Sequence, residues 1–321
     1  MLDATSILVV LPHDSLAEAA MDCATRLARR TGAALTLVDV IDAAPGDLGR
    51  RMSDLTGQRD AEIEQDVISH HRDRLAEFAE RARRENIEVT EAVLQGRPAV
   101  EVVRMVLREG HDVLIKGASV SEDCGGVLAG VDMHLLRLCP CPVWVPTRAT
   151  GGTSARILAA VAAADPGDAA RAGLDRRVLD VALALGQGDG AEVRVIHAWS
   201  LPGDHALRHG RYTVDKGGDV DALVAQEGQA AAARVAALLA DYPQVARDHV
   251  VVAEGSPGAV IAAHAAAEGV DAIVMGTVGR AGQPGWVTGA TAETILGRIP
   301  CSVIALKPEG FVSPVTLDGI G

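Results

Sequence analysis

The chain has 321 residues, a formal net charge of −13 and a pI near 5.2. Such an acidic surface repels phosphate backbones and anionic lipids, so no nucleic-acid or membrane-surface partner is expected. No stretch approaches the ~18 apolar residues of a membrane span, and residues 1–10 lack a signal-peptide pattern. Five cysteines, an odd number beside 48% hydrophobic residues, favour reduced thiols and a cytoplasmic location.

The predicted elements of the first half alternate between strand and helix. Strands are expected over residues 7–11, 35–41, 87–94, 113–115 and 143–146. Helices are expected over residues 15–30, 60–84, 98–109 and 133–138. Strands that alternate with helices predict a parallel sheet covered on both faces.

An internal repeat makes the second half a copy of the first. Residues 95–117 align without a gap to residues 254–276, which lie 159 positions later. In both copies Gly-x-Pro predicts the start of a helix and Glu-Gly predicts its end. The aspartate that follows directly precedes a short apolar strand. The remaining strands of the second half are predicted over residues 157–161, 193–198, 249–253, 272–275 and 303–306. Both halves thus read β-α-β-α-β-α-β-α-β, which predicts an α/β protein with two doubly wound parallel-sheet domains.

The domain boundary is predicted at the small, polar, glycine-containing residues 148–154. The predicted domains are residues 1–149 and 154–310, followed by a tail at 311–321 that lies over a surface or is partly disordered. Each half ends with a short apolar strand, and an apolar strand at a sheet edge is prone to pair with another strand. The short linker favours antiparallel pairing within the chain. The expected pseudo-dimer joins Val143–Val145 to Val303, Ile304 and Ala305, with Trp144 buried.

A glycine-rich loop follows the fourth predicted strand of the second half. Gly276, Gly279 and Gly289 form the pattern G-x2-G-x9-G, and a helix is expected from about Ala290. Glycines let backbone amides approach a phosphate, and a helix N-terminus presents unpaired N–H groups to it. In doubly wound sheets such a loop lies beyond the carboxyl ends of the strands, where ligands bind. The pattern therefore predicts a phosphate-binding loop.

This loop resembles the ATP-binding loop of universal stress proteins, through Gly-Thr-x-Gly-Arg-x-Gly from Gly276 and Ile-Pro-Cys-Ser-Val from Ile299. The resemblance covers nearly the whole chain. The tandem arrangement is similar to the two-domain branch of that family, and the sequence runs that begin at His134 and Pro142 also resemble that branch. It implies two domains of the adenine nucleotide α-hydrolase-like kind and a stress-response function. The ligand-binding residues that it implies are Gly276, Thr277, Gly279, Arg280, Gly289, Ala290, Thr291, Ala162 and Ala198.

The second half departs from the ATP-binding members at two polar positions. Ala290 follows the third glycine where those members have Ser or Thr, and Thr291 comes one residue later. Ala162 stands where they have an aspartate, with Asp165 three residues further on. ATP binding in this half is therefore left open at the sequence level.

The first half departs further, so a lost nucleotide site is expected there. Gly117 and Gly130 keep the separation of the outer glycines, but Val120 replaces the middle one. Pro12 stands in the aspartate position. Residues 122 and 123 are acidic, which adds negative charge where a phosphate would lie.

No catalytic residue and no metal site are assigned. Cys139 and Cys141 lack a second pair, and a structural zinc site needs four ligands. His70 and His71 are expected to be solvated, and His197 is expected to be packed. No metal is assigned to His205 and His209, because their loop lacks helical context. Two functions remain open. One is a non-catalytic stress-response module that binds ATP or another small ligand in the second half and an unidentified protein partner. The other is an adenine-nucleotide-binding protein with slow ATP hydrolysis.

Overall fold

A computed structural model of the chain describes residues 4–14, 16–42, 60–119, 130–147, 155–165, 167–201, 217–277 and 301–317. They belong to two compact units. Unit 1 comprises Met1–Thr153, Pro300–Lys307 and Phe311–Gly321, and unit 2 comprises Ser154–Ile299 and Pro308–Gly310. Within the described ranges, no helix has both the length and the apolar character that crossing a membrane requires.

The described elements alternate as the sequence predicts, and the protein is a mixed α/β structure. The strands are β1 Ser6–Val10, β2 Ala34–Ile41, β3 Val89–Gln95, β4 Val113–Lys116, β5 Val143–Val145, β6 Arg156–Ala160, β7 Glu192–Trp199, β8 Val250–Glu254, β9 Ala272–Gly276 and β10 Ser302–Leu306. The helices are α1 Leu16–Thr31, α2 Asp60–Arg84, α3 Pro98–Glu109, α4 Val131–Leu138, α5 Ala169–Asp189, α6 Gly217–Leu239 and α7 Pro257–Ala267. Predicted and observed strand bounds differ by two residues at most.

The sheet of unit 1 is parallel except at one end. Its strand order is β3-β2-β1-β4-β5-β10, and β1 pairs with β2 on one side and β4 on the other. Strand order therefore reverses at β1, which creates a crevice at its carboxyl end. The apolar side chains of β1 are buried, because helices cover a parallel sheet on both faces.

The strand β10 pairs antiparallel with β5 inside unit 1. Val303 lies opposite Val145, Ile304 opposite Trp144, and Ala305 opposite Val143. The antiparallel pairing predicted for these two strands is confirmed. Trp144 is 4% exposed, so its predicted burial is also confirmed.

Unit 2 repeats the parallel part of this sheet with the order β9-β6-β7-β8. Here β6 pairs with β7 and β9, so the strand order reverses at β6. The registers match those of unit 1. Ile7 pairs with Leu35 and Val113, and Ile157 pairs with Val193 and Ala272. The two sheets can therefore be compared residue by residue.

The repeated aspartate has the same structural task in both units. The Asp112 carboxylate accepts hydrogen bonds from the backbone amides of Thr5 (2.8 Å) and Ser6 (3.1 Å), where β1 begins. The Asp271 carboxylate accepts bonds from the amides of Ala155 (2.9 Å) and Arg156 (3.0 Å), where β6 begins. Each aspartate thus ties the start of the central strand to the strand beside it. This satisfies backbone donors that the ladder leaves unpaired.

Candidate nucleotide-binding edge of the second unit

Four of the predicted ligand-binding residues lie at the carboxyl ends of three adjacent strands. Ala162 follows β6, Ala198 lies near the end of β7, Gly276 ends β9 and Thr277 follows it. Because β6 lies between β7 and β9, these residues border the crevice where the strand order reverses. The other five predicted residues, Gly279, Arg280, Gly289, Ala290 and Thr291, lie outside the described residues and stay predictions.

A buried carboxylate supports the backbone after β6. Asp175 on α5 is 4% exposed, and its two oxygens accept hydrogen bonds from the amides of Ala162 (2.7 Å) and Ala164 (3.1 Å). Burial raises the pKa of Asp175, although these amide bonds oppose the rise. Sequence reasoning missed this residue. The sequence feature that could have revealed it is an acidic residue on the otherwise apolar face of α5, between Leu174 and Val178.

His197 on β7 is packed and hydrogen-bonded, as predicted. It is 5% exposed, and its Nδ1 lies 3.1 Å from the carbonyl oxygen of Val161, which can only accept. Burial lowers the pKa of His197, which favours the neutral imidazole. Among the described residues no group bonds its Nε2. The arrangement fixes the ring beside the end of β6.

Gly276 is required by packing at the end of β9. A Cβ at this position would lie 2.5 Å from Cδ2 of Leu174, while the φ angle is not in the left-handed region. The glycine therefore allows α5 to approach the strand closely. Thr277 is fully buried directly after it. The described part of the predicted loop is thus a tightly packed strand end.

The equivalent edge of unit 1 contains a buried ion pair. The matched registers align Gly117 with Gly276, directly after Lys116. The Lys116 ammonium forms an ion pair with Asp132 at 2.6 Å, and it donates hydrogen bonds to the Gly117 carbonyl (2.8 Å) and to Ser119 (2.8 Å). Asp132 lies in the first turn of α4 and accepts the Ser119 amide at 2.6 Å. Burial raises the pKa of Asp132 against the effect of Lys116. The chain thereby places its own carboxylate at a helix N-terminus, which favours negative charge.

A second polar cluster covers the end of β1. Arg74 on α2 donates to the carbonyl oxygens of Leu11 (2.6 Å) and Pro12 (2.7 Å), and to Asp39 at 2.8 Å. The registers align Pro12 with Ala162 and Asp39 with His197. Arg74 therefore lies over the backbone that corresponds to the predicted ligand edge of unit 2.

The predicted solvation of His71 is wrong. Its side chain is 13% exposed, and its Nδ1 lies 2.6 Å from Oδ2 of Asp39. His70, one residue earlier on α2, is exposed as predicted. Because α2 is polar on most of its surface, its sequence does not indicate that His71, rather than His70, contacts the buried Asp39 on β2.

Comparison with known proteins agrees with the fold and the repeat. Residues 4–146 and 161–307 each match the model of the Universal stress protein family. Each unit has a largely parallel sheet with a crevice where the strand order reverses, which is the doubly wound α/β class of fold. The chain belongs to the universal stress protein family and contains two of its domains in tandem.

Individual relatives are distant but cover most of the chain. Universal stress protein E of Escherichia coli K12 is 28% identical over 228 residues, which is 70% of each chain. A functionally unknown protein of Pseudomonas aeruginosa has a crystal structure that matches 96% of this chain and 94% of its own, with a TM-score of 0.70 and 23% identity. A universal stress protein of Archaeoglobus fulgidus matches 95% of this chain and 98% of its own, with a TM-score of 0.59 and 19% identity. These structures support the fold.

Proposed function

We propose that this protein is a non-catalytic stress-response module that binds an adenine nucleotide, or a similar phosphate-bearing small ligand, in its second domain only. The observation that carries the proposal is the difference between two equivalent sheet edges. In unit 1 the edge is occupied by the chain's own charged side chains. Unit 2 keeps the glycine pattern, and uncharged residues, Met275 and Thr291, stand where unit 1 has Lys116 and Asp132.

The phosphate end of the edge supports this difference. Asp132 places a carboxylate in the first turn of α4, where it already uses the favourable field of the helix N-terminus. A phosphate there would meet a negative charge. The repeat offset aligns Asp132 with Thr291, whose hydroxyl can donate to a phosphate without repelling it.

The opposite end of the edge supports the same assignment. Arg74 occupies both carbonyl groups that follow β1 in unit 1. In unit 2 the Val161 carbonyl is paired with His197, while the side chain of Ala162 is exposed. A planar base can therefore approach the backbone beside Ala162 and Ala198. A base that stacks on small residues needs no charged partner.

The described carboxylates favour binding over hydrolysis. Asp175 is buried and holds two backbone amides, so it is poorly placed to activate water. Asp165 is different, since its side chain is 82% exposed and lies 3.9 Å from Arg234. It is the residue on which the second candidate function, slow ATP hydrolysis, would depend.

Calorimetric titration of the full chain with ATP tests the proposal. We expect one ATP per chain. Gly279→Val should weaken binding at least ~10-fold, or ~1.4 kcal/mol, because a branched Cβ keeps a phosphate from the loop amides. The matched control is Val120→Ala in the first domain, which should change nothing. Two bound ATP per chain, or equal affinity of Gly279→Val with an unchanged melting temperature, would contradict the proposal.

Phosphate release separates the two candidate functions. The non-catalytic function predicts no release above the background rate while ATP is bound. Steady release that is lost in Asp165→Asn, with ATP affinity retained, would favour the hydrolytic alternative.

A further inference from the structure

Three potential metal ligands converge at the carboxyl edge of the unit 1 sheet. They are His13 in the segment after β1, Asp39 on β2 and His71 on α2. One ligand atom from each lies within 4.8 Å of the other two. The three residues come from three separate elements, so the fold itself brings them together.

The distances suit one small cation. His13 Nε2 lies 3.2 Å from Asp39 Oδ2, and His71 Nδ1 lies 2.6 Å from the same oxygen. Zinc binds nitrogen and oxygen ligands at about 2.0–2.2 Å with tetrahedral geometry, which separates two ligand atoms by about 3.3 Å. His13 and Asp39 already have this separation. The contact between His71 and Asp39, at 2.6 Å, would have to open by about 0.7 Å to reach it.

The carboxylate is also held in place by other groups. Asp39 Oδ1 accepts the Val40 amide at 2.8 Å, and Arg74 donates to Oδ2 at 2.8 Å while it binds two backbone carbonyl groups. Hydrogen bonds to a ligating carboxylate orient it and are common in metal sites. Asp39 is 2% exposed, so its orientation is set by these contacts rather than by solvent.

The residue types and their exposure favour a transition metal. Imidazole and carboxylate together suit Zn²⁺, Cu²⁺ and Ni²⁺ better than Mg²⁺ or Ca²⁺, which prefer oxygen ligands. The His13 side chain is 52% exposed, which provides a path for an ion and a position for solvent as a further ligand.

From this geometry we propose that His13, Asp39 and His71 bind one divalent transition-metal ion of the zinc class. The site lies at the strand ends of unit 1 that are equivalent to those where unit 2 is proposed to bind a nucleotide. The two domains would thus use equivalent edges for different ligands. The proposal does not depend on nucleotide binding, since it concerns unit 1 alone.

Metal titration of the full chain tests this site. The protein is treated with a chelator and titrated with Zn²⁺ by calorimetry, without nucleotide. We expect one tight equivalent. His13→Ala should weaken its binding by ~100-fold, because one of three protein ligands is removed. His13 is the primary variant because its half-exposed side chain can be removed without opening the core.

The matched control is His134→Ala, which removes an exposed histidine from α4 of the same unit. It should bind Zn²⁺ as the wild type does. Co²⁺ provides a second readout, since its absorption should show nitrogen and oxygen ligands without a thiolate charge-transfer band. Equal affinity in His13→Ala, or a thiolate band that assigns the ion to Cys139 and Cys141, would overturn the proposal.

Discussion

At the scale of single residues, the ion pair between Lys116 and Asp132 is the most consequential buried contact of unit 1. Both side chains are at most 5% exposed, and the charged atoms lie 2.6 Å apart. Removal of one partner from such a pair leaves an uncompensated charge in the interior. The pair therefore makes unit 1 sensitive to small changes at the edge of its sheet.

We predict that Asp132→Asn lowers the free energy of unfolding by ~3 kcal/mol. The control is Glu18→Gln, which breaks the pair between Glu18 and Arg81. Those side chains are 46% and 48% exposed, so the loss should stay below ~1 kcal/mol. Urea unfolding of both variants gives the comparison. Equal decreases in the free energy of unfolding would contradict the prediction that the buried pair of Lys116 and Asp132 contributes more than the exposed one.

Lys307 is a second buried charge, at the end of β10. It is 3% exposed, and its ammonium donates to the Leu136 carbonyl at 2.7 Å and lies over the Phe311 ring. Burial lowers the pKa of Lys307 to about 8, although Cys139 opposes the shift. The ordinary value is 10.5. Between these values the unfolded chain binds the proton and the folded chain does not.

This difference predicts that stability rises with pH. From about pH 8 to pH 10.5, Lys307 should add up to ~1.4 kcal/mol to the free energy of unfolding per pH unit. Below about pH 8 both states are protonated and the contribution is constant. Urea unfolding across this range, for the wild type and for Lys307→Met, isolates it from other titrating groups. Parallel pH curves for the two proteins would contradict the assigned burial of the charge.

At the scale of elements, the repeat-equivalent glycines Gly117 and Gly276 show how closely a helix approaches the fourth strand of each unit. A Cβ at Gly117 would clash with the backbone carbonyl of Leu16, at the start of α1. A Cβ at Gly276 would meet the Leu174 side chain on α5. A side chain can change rotamer, but a backbone carbonyl within a helix start has little freedom.

Gly117→Ala should therefore cost ~2 kcal/mol or more of unfolding free energy, and Gly276→Ala ~1 kcal/mol or less. Thermal unfolding of the two single variants measures the difference, and each serves as the control for the other. The reverse order of melting temperatures would show that the Leu174 side chain is less free to move than its contacts indicate.

At the scale of the whole molecule, unit 1 is not continuous in sequence. Its sheet ends with β10, which comes from residues near the C-terminus of the chain. The segment that follows β10 also packs on unit 1. Ser313 donates to the Leu138 carbonyl at 2.7 Å, and the Thr316 carbonyl accepts a bond from Arg104 at 3.1 Å. The tail was predicted to lie over a surface or to be partly disordered, and Ser313 and Thr316 in its described part make these contacts with unit 1.

A fragment of residues 1–153 should consequently self-associate, because the edge of β5 is left without its partner strand. Size-exclusion chromatography with light scattering should report dimers or larger species. The matched control is the same fragment with residues 300–317 attached by a flexible linker, which restores β10 and should be monomeric. A monomeric, cooperatively folded fragment 1–153 would contradict this role of β10.

The same scale shows how much of the fold followed from local pattern. Strand and helix bounds were predictable because their periods of two and 3.6 residues and their Gly-x-Pro and Glu-Gly boundaries are local signals. The repeat then predicted that both units share one topology. For the candidate site, the glycine pattern identified Gly276, and the family resemblance implied Ala162 and Ala198. All three lie at one edge of the sheet of unit 2.

The supporting polar groups were not predictable in this way. Asp175 supplies the carboxylate beside Ala162 from a helix, 13 positions from where the family pattern has its aspartate. His71 was expected in solvent but contacts Asp39, which lies 32 residues earlier. Such contacts depend on how a helix is rotated over the sheet, and no local period records this rotation.

The sequence by itself determined the two-domain α/β architecture, the family and the replacement of the middle glycine by Val120 in the first half, since each depends on residues close together in the chain. Only the tertiary structure decided that Lys116 and Asp132 pair in the interior of unit 1, and that His13, Asp39 and His71 meet at one point. These features depend on strand order and helix packing, which bring distant residues to within a few ångströms. Burial then gives those contacts their energetic weight, because a charge removed from water requires a partner.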